Sequence, residues 1–274
     1  MENNPLRQFF RRPAVYIKLP SGGKYYTEDV VQIPESGELP VYPMTAIDEI
    51  SVRTPDALYN GTAVRDLISS CIPNIKNPWL INSSDLDAVL LAIKAASGQE
   101  NLEIESSCPE CENTSSYSID LPPLIASIKP ANYDEELAYG EISIKFRPLT
   151  YKEMSDAALV QFDLQKKFSV IERTEDDAER DALSKEALET VTLVTMEVMS
   201  LAIEYIKTTD MIVTEKEYIL DFLKNCDRNV FTKVRDYNGE LRKEAELKPL
   251  DLTCTECQHQ YSQKFTVDPT DFFG

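Results

Sequence analysis

The spacing of apolar residues changes period several times along the chain, and each change marks an expected element. From Ala14 to Tyr26 apolar and polar positions alternate, then break at Ser21-Gly22-Gly23. Alternation ending in a glycine turn predicts a β-hairpin. Leu39-Pro-Val-Tyr-Pro-Met44 is expected to be short and extended, because each proline blocks a helix through it. Thr45 can cap a short helix over 46–52, with Asp48 and Glu49 in its first turn, where a helix favours acids. Pro55 opens a second short helical stretch, continued over 62–71 after Gly61. Ser84 is placed to cap a helix over 85–96 that puts Leu86, Val89, Leu90 and Ile93 on one face and stops at Gly98.

The second half reads in the same way. A strand pair is expected over 102–121, and Ile142, Ile144 and Phe146 alternate within a strand over 139–147. Thr150 caps a helical region running to about 209, which the acidic stretch 172–181 divides into two helices of a hairpin. The second of these, 176–207, sets Leu188, Val191, Val194, Val198 and Leu201 at steps of three and four. Thr214 caps a further helix over 215–225, and extended character returns near Leu252 and over 261–267. The reading is therefore α+β. It has an N-terminal β/α region (1–100), strands (101–150), a helical insertion (151–245) and a C-terminal extended segment (246–274).

Composition narrows the function classes. The chain has 274 residues, with 28 lysines and arginines against 47 acids, a net charge of -19. That field repels phosphate backbones and favours basic protein partners. Arg7, Arg11 and Arg12 form a basic arm that either docks on an acidic neighbour or stays solvated. The first residues carry arginines without a long apolar run behind them, so no signal peptide is expected, nor a membrane span. His259 is the single histidine, and eight glycines leave little material for phosphate-cradling loops. No Ser-His-Asp or Cys-His arrangement and no His-Glu-x-x-His is present. The acidic run Asp134-Glu-Glu136 lacks alternation and reads as a solvated loop rather than a pair of catalytic carboxylates.

The chemistry-bearing pattern is in the cysteines. Cys108-Pro-Glu-Cys111 and Cys254-Thr-Glu-Cys257 share Cys-x-Glu-Cys, and each is followed by polar residues and then an alternating run. Two intervening residues let both thiolates of a knuckle reach one ion, and two knuckles complete a tetrahedral four-sulfur shell, as in a zinc ribbon. In a reducing compartment this spacing favours metal over disulfide. Cys108, Cys111, Cys254 and Cys257 are thus the expected ligands of a structural Zn2+, with iron the competing occupant. The residues between the halves form a long insertion, so the metal would close a long loop. Such a shell leaves no open position, which argues against catalysis at the metal. Cys71 and Cys226 are expected to be core residues, His259 to lie outside the shell, and Trp79 to be a packing anchor.

Several further segments carry a family likeness: Leu19-Pro-Ser-Gly-Gly-Lys-Tyr-Tyr26, Tyr42-Pro-Met-Thr-Ala-Ile-Asp-Glu-Ile50, Arg53-Thr-Pro-Asp-Ala-Leu-Tyr-Asn-Gly-Thr62 and Cys71-Ile-Pro-Asn-Ile75. With the two knuckles, the chain resembles the baseplate hub proteins of T4-like contractile-tailed bacteriophages. The resemblance implies a non-enzymatic virion component of the tail baseplate, assembled in the host cytoplasm, whose partners are hub, tube or wedge subunits. It implies no small-molecule substrate and no membrane. The alternative is a zinc-ribbon module that binds nucleic acid or regulates. Glu110, Glu112, Glu256, Asp120 and Asp268 near the knuckles oppose it, since a phosphate-gripping ribbon needs clustered lysine and arginine.

Overall fold

Antiparallel strand pairs and eight α-helices make up the described part of the computed structural model, which covers residues 4–54, 57, 60–174 and 176–267. The chain divides into one unit formed by 1–130 and 245–274 and a second formed by 131–244. The α+β class expected from the pattern is what is found. No helix among the described residues is long and apolar enough to cross a membrane.

In the first unit, strand β1 (Val15–Ile17) pairs antiparallel with β2 (Leu39–Val41), Val15 facing Val41. The hairpin expected at Ser21-Gly22-Gly23 is not formed. A turn is there, with φ of +64° and +81° at the two glycines, but β1 takes its partner from much further along. The cause is Asp85, which is fully buried. A buried carboxylate must be hydrogen-bonded, and the loop supplies the donors. The Ser21 backbone N–H donates to it at 2.8 Å, the Ser21 hydroxyl at 2.5 Å and the Tyr26 hydroxyl at 2.6 Å. Residues that would have made a second strand are used to satisfy this acid.

Helix α1 (Ala46–Val52) starts at Thr45 as expected, with Thr45 and Asp48 forming a reciprocal capping box. The helical stretch expected from Pro55 lies outside the described residues. Helix α2 (Thr62–Cys71) follows Gly61 and buries Ala63, Val64, Leu67, Ile68 and Cys71. Helix α3 (Ser83–Ala96) is capped by Asn82 rather than by Ser84. The Asn82 side chain accepts the Asp85 N–H at 3.1 Å, so the helix begins earlier and the Asp85 carboxylate is left for the loop. Burial of α3 goes beyond the single expected face: Ala88 through Ile93 are all fully buried, and the helix forms the centre of the core. Arg65 lies over the Trp79 ring at 5.8 Å.

Arg11 is not a free member of the basic arm. Its guanidinium donates to the carbonyl of Pro43 at 2.6 Å, to the carbonyl and hydroxyl of Ser70 at 2.8 Å each, and to Asp48 at 3.3 Å. The arm is therefore rooted on the first unit at this residue. Strands β3 (Asn101–Ser107) and β4 (Thr114–Asp120) form the expected pair in the first unit, followed by helix α4 (Leu121–Ser127).

The second unit holds a four-stranded antiparallel sheet in the order β5 (Glu136–Tyr139), β6 (Ile142–Phe146), β7 (Ile203–Lys207), β8 (Ile212–Val213). The strand expected over 139–147 is shorter, because Gly140, with φ of +59°, turns the chain between β5 and β6. Glu136 belongs to β5, so the run 134–136 is not wholly loop. Thr150 caps helix α5 (Tyr151–Arg173) through a capping box with Glu153, and α6 (Asp177–Ala202) returns as the second arm of a helical hairpin.

The helix expected to reach 207 ends at Ala202, and the next five residues are β7. Ile203 and Ile206 are buried in the sheet, where Ile206 pairs with Ile144. The sequence Ile-Glu-Tyr-Ile-Lys suits either structure, and sheet burial decides it. On α6, Val191, Val194, Val198 and Leu201 are half-buried as the spacing suggested, but Leu188 is 60 % exposed and Ala187 is buried instead. Helix α7 (Lys216–Asn225) starts one residue later than expected, with Glu215 rather than Thr214 at the N-cap position and no side-chain capping hydrogen bond there. Helix α8 (Arg228–Ala245), not singled out in the sequence, buries Val230, Val234 and Leu241. The Phe146 and Tyr237 ring centroids are 5.4 Å apart.

Candidate metal centre

Two short hairpins of the first unit carry the cysteines. The turn from β3 to β4 holds Cys108 and Cys111. The turn between β9 (Leu250–Thr253) and β10 (Gln260–Gln263) holds Cys254 and Cys257. The two knuckles repeat the same backbone device. In the first, the Cys108 N–H donates to the Asn113 carbonyl at 2.9 Å and the Cys108 carbonyl accepts from Glu112 at 2.9 Å. In the second, the Cys254 N–H donates to the His259 carbonyl at 2.9 Å and the Cys254 carbonyl accepts from Gln258 at 3.1 Å. Such a turn drives the residue after the second cysteine into the left-handed region. Glu112 (φ +58°) and Gln258 (φ +60°) are the two non-glycine residues found there among those described. Neither side chain announces that conformation in the sequence, where glycine or asparagine would have.

The hairpins bring the sulfurs together. All four Sγ atoms lie within 4.8 Å of one another. Two separations between knuckles are 3.7 Å, from Cys108 to Cys257, and 3.6 Å, from Cys111 to Cys254. A tetrahedral shell with metal–sulfur bonds of about 2.3 Å has sulfur–sulfur edges of roughly 3.8 Å. The four residues thus fit one tetrahedral ion. The first cysteine of each knuckle is buried and the second exposed. The Glu110 N–H points to the Cys108 sulfur at 3.4 Å.

Electrostatics lead to the same chemistry. Backbone N–H groups of Cys257 and Glu256 lower the Cys254 thiol to about 7, which favours its thiolate. Cys257 goes the other way: the His259 N–H lowers it, but the sulfurs of Cys111, Cys254 and Cys108 outweigh this and push it up to about 12. Four thiolates at this range repel one another unless a cation lies among them.

Contacts beyond the sulfurs join the two hairpins. The Ser115 and Thr255 hydroxyls are 2.8 Å apart, and the Tyr261 hydroxyl reaches those of Ser106 at 3.1 Å and Tyr117 at 3.2 Å. These polar pairs were not legible in the sequence, since serine and tyrosine on strands carry no partner signal. His259 lends the turn its carbonyl; its ring is exposed and stacks on Tyr261 with centroids 6.3 Å apart. Cys71 is fully buried in the core and Cys226 half-buried at the end of α7, so neither joins the cluster. Glu110, Glu112 and Glu256 are all exposed around the knuckles.

No curated protein and no solved structure matches the chain. A family model does match, described as T4 bacteriophage base plate protein, over residues 15–274. That span takes in both cysteine knuckles, the Asp85-bound loop and the insertion between the knuckles, and on it the chain belongs to the T4 bacteriophage base plate protein family.

Proposed function

We propose that the chain is a non-enzymatic structural or assembly component of the hub region of the tail baseplate, stabilised by a structural Zn2+ on Cys108, Cys111, Cys254 and Cys257. Family membership makes it a tail component, with other tail proteins as its partners. The likeness of its turn and cap motifs to hub proteins supports the hub in particular. The observation that carries the metal is the convergence of four sulfurs from two distant hairpins within 4.8 Å. Zinc suits this shell because it takes four sulfur ligands tetrahedrally without redox chemistry, and a filled shell offers no place for substrate. Its work is to hold one hairpin to the other.

Elemental analysis of the purified chain should give one zinc per chain. Cys108→Ser should lose most of that zinc and melt well below the wild type. Iron in place of zinc, or an unchanged melting curve, would count against the assignment. For the location, baseplates separated into central and peripheral fractions should carry the chain with the centre. Recovery with the peripheral wedges would overturn the hub reading.

A further inference from the structure

Ahead of the family-matched residues, Pro5–Phe9 form a short 3-10 turn that buries none of its own side chains. Asn4 caps it by accepting the Leu6 N–H, and Pro5 sets its first turn. Its apolar residues face water: Leu6 is 60 %, Phe9 76 % and Phe10 56 % exposed. Arg7 and Arg12 are exposed beside them, while Arg11 fixes the root through Pro43, Asp48 and Ser70. Two adjacent phenylalanines and a leucine held out by a capped turn form an anchor set that none of the described residues covers. Aromatic and arginine side chains dominate binding in protein interfaces.

From this we infer that residues 4–12 are a docking arm. Leu6, Phe9 and Phe10 enter an apolar groove on a different protein of the tail, and Arg7 and Arg12 pair with acids on the rim of that groove. Charge selects this occupant. The arm is basic on a chain of net charge -19, so a second copy and an anionic lipid surface both meet repulsion from the rest of the molecule. An acidic rim around a local groove attracts the arm at short range. The inference rests on the tail location proposed above, but not on the metal.

The test uses phage lacking its own copy of this chain, complemented with the full-length wild type, with Phe9→Asp/Phe10→Asp, or with Arg7→Glu/Arg12→Glu. The amount of chain in purified baseplates is measured by quantitative mass spectrometry. The apolar double variant should be reduced about tenfold or more and the charge-reversed one several-fold, with both purified proteins melting like the wild type. Should the apolar variant melt early, the charge-reversed pair decides. Wild-type amounts of the variants in baseplates overturn the arm. Absence of the wild type itself overturns the tail location first, and the arm with it. A wild-type dimer in sedimentation that the Phe9→Asp/Phe10→Asp change dissociates would assign the arm to a second copy. Flotation of the wild type with phosphatidylglycerol and phosphatidylethanolamine vesicles would assign it to a membrane. Either result overturns the proposal.

Discussion

Asp85 and Asp48 each take a segment of chain and fix it. Asp85 is buried on α3, and burial raises its pKa even though Ser21 and Tyr26 donate to it. Asp48 completes the α1 capping box and also receives Arg11, so one carboxylate holds both a helix start and the root of the N-terminal arm. The residues that carry the family likeness are thus donors, caps and turn formers with structural tasks. Asp87, half-buried on the same helix as Asp85, has no such donors among the described residues, and burial pushes its carboxyl up to about 6. A carboxyl raised above its unfolded value of 3.8 costs stability as pH rises through the window between the two values. Asp87→Asn should therefore match the wild type below about pH 4 and become more stable by about 1 kcal/mol above pH 6, after allowance for solvent screening. The difference between the two proteins, followed by urea melts across that range, cancels any contribution from metal release. A difference that does not change with pH would show that Asp87 is already well solvated.

Among the elements, caps and turns read well from sequence because their physics is local. Thr45 and Thr150 start their helices where expected, and the glycines mark real turns. Gly23 shows how much one turn residue can carry. Its φ is +81°, and a Cβ there would lie 2.0 Å from the Ile33 side chain, whereas one at Gly22 would meet nothing within 4 Å. Gly22→Ala should cost about 1 kcal/mol through backbone strain alone. Gly23→Ala should cost a similar amount in strain and only about 0.5–1 kcal/mol more, because the atom it meets is the Cδ1 end of the Ile33 side chain, which is 40 % exposed and can turn to another rotamer. A Gly23→Ala variant as damaged as a core-overpacking mutant would refute this account of the loop. The junction at Ala202 was harder to read. A five-residue stretch such as Ile-Glu-Tyr-Ile-Lys at the end of a helix does not say whether it continues the helix or joins a sheet, and β6 settles it by pairing.

For the whole molecule, the cysteine cluster ties residues 108–111 to 254–257, so one ion would close a loop of more than a hundred residues. Without such a link both hairpins are two-stranded, which are marginal on their own in water. Chelation should then expose both knuckles at once. Limited proteolysis after treatment with a zinc chelator should cut near 109–113 and 255–259 together, and added Zn2+ should protect both. Protection of both knuckles after chelation would show that the hairpins hold together through Ser115, Thr255 and Tyr261 without the metal. Cleavage at a single knuckle would show that the two are not joined by one ion. Loss of the link should also lower the melting temperature by more than any single cap removal, because loop-closure entropy grows with loop length.

By itself the sequence determined the α+β class, the capped helix starts at Thr45 and Thr150, the helical hairpin and the four cysteines of the cluster. Each rests on neighbours a few residues away, or on a motif repeated twice. Only the tertiary structure decided that β1 pairs with β2 across the Asp85-bound loop, that Ile203 to Lys207 is strand, that Ala187 rather than Leu188 faces inward, and that Arg11 is tied down while Arg7 and Arg12 are exposed. Partner choice between distant segments follows from which burial satisfies the most apolar surface and leaves the fewest unpaired polar groups. That sum runs over residues far apart in the chain, and no local period contains it.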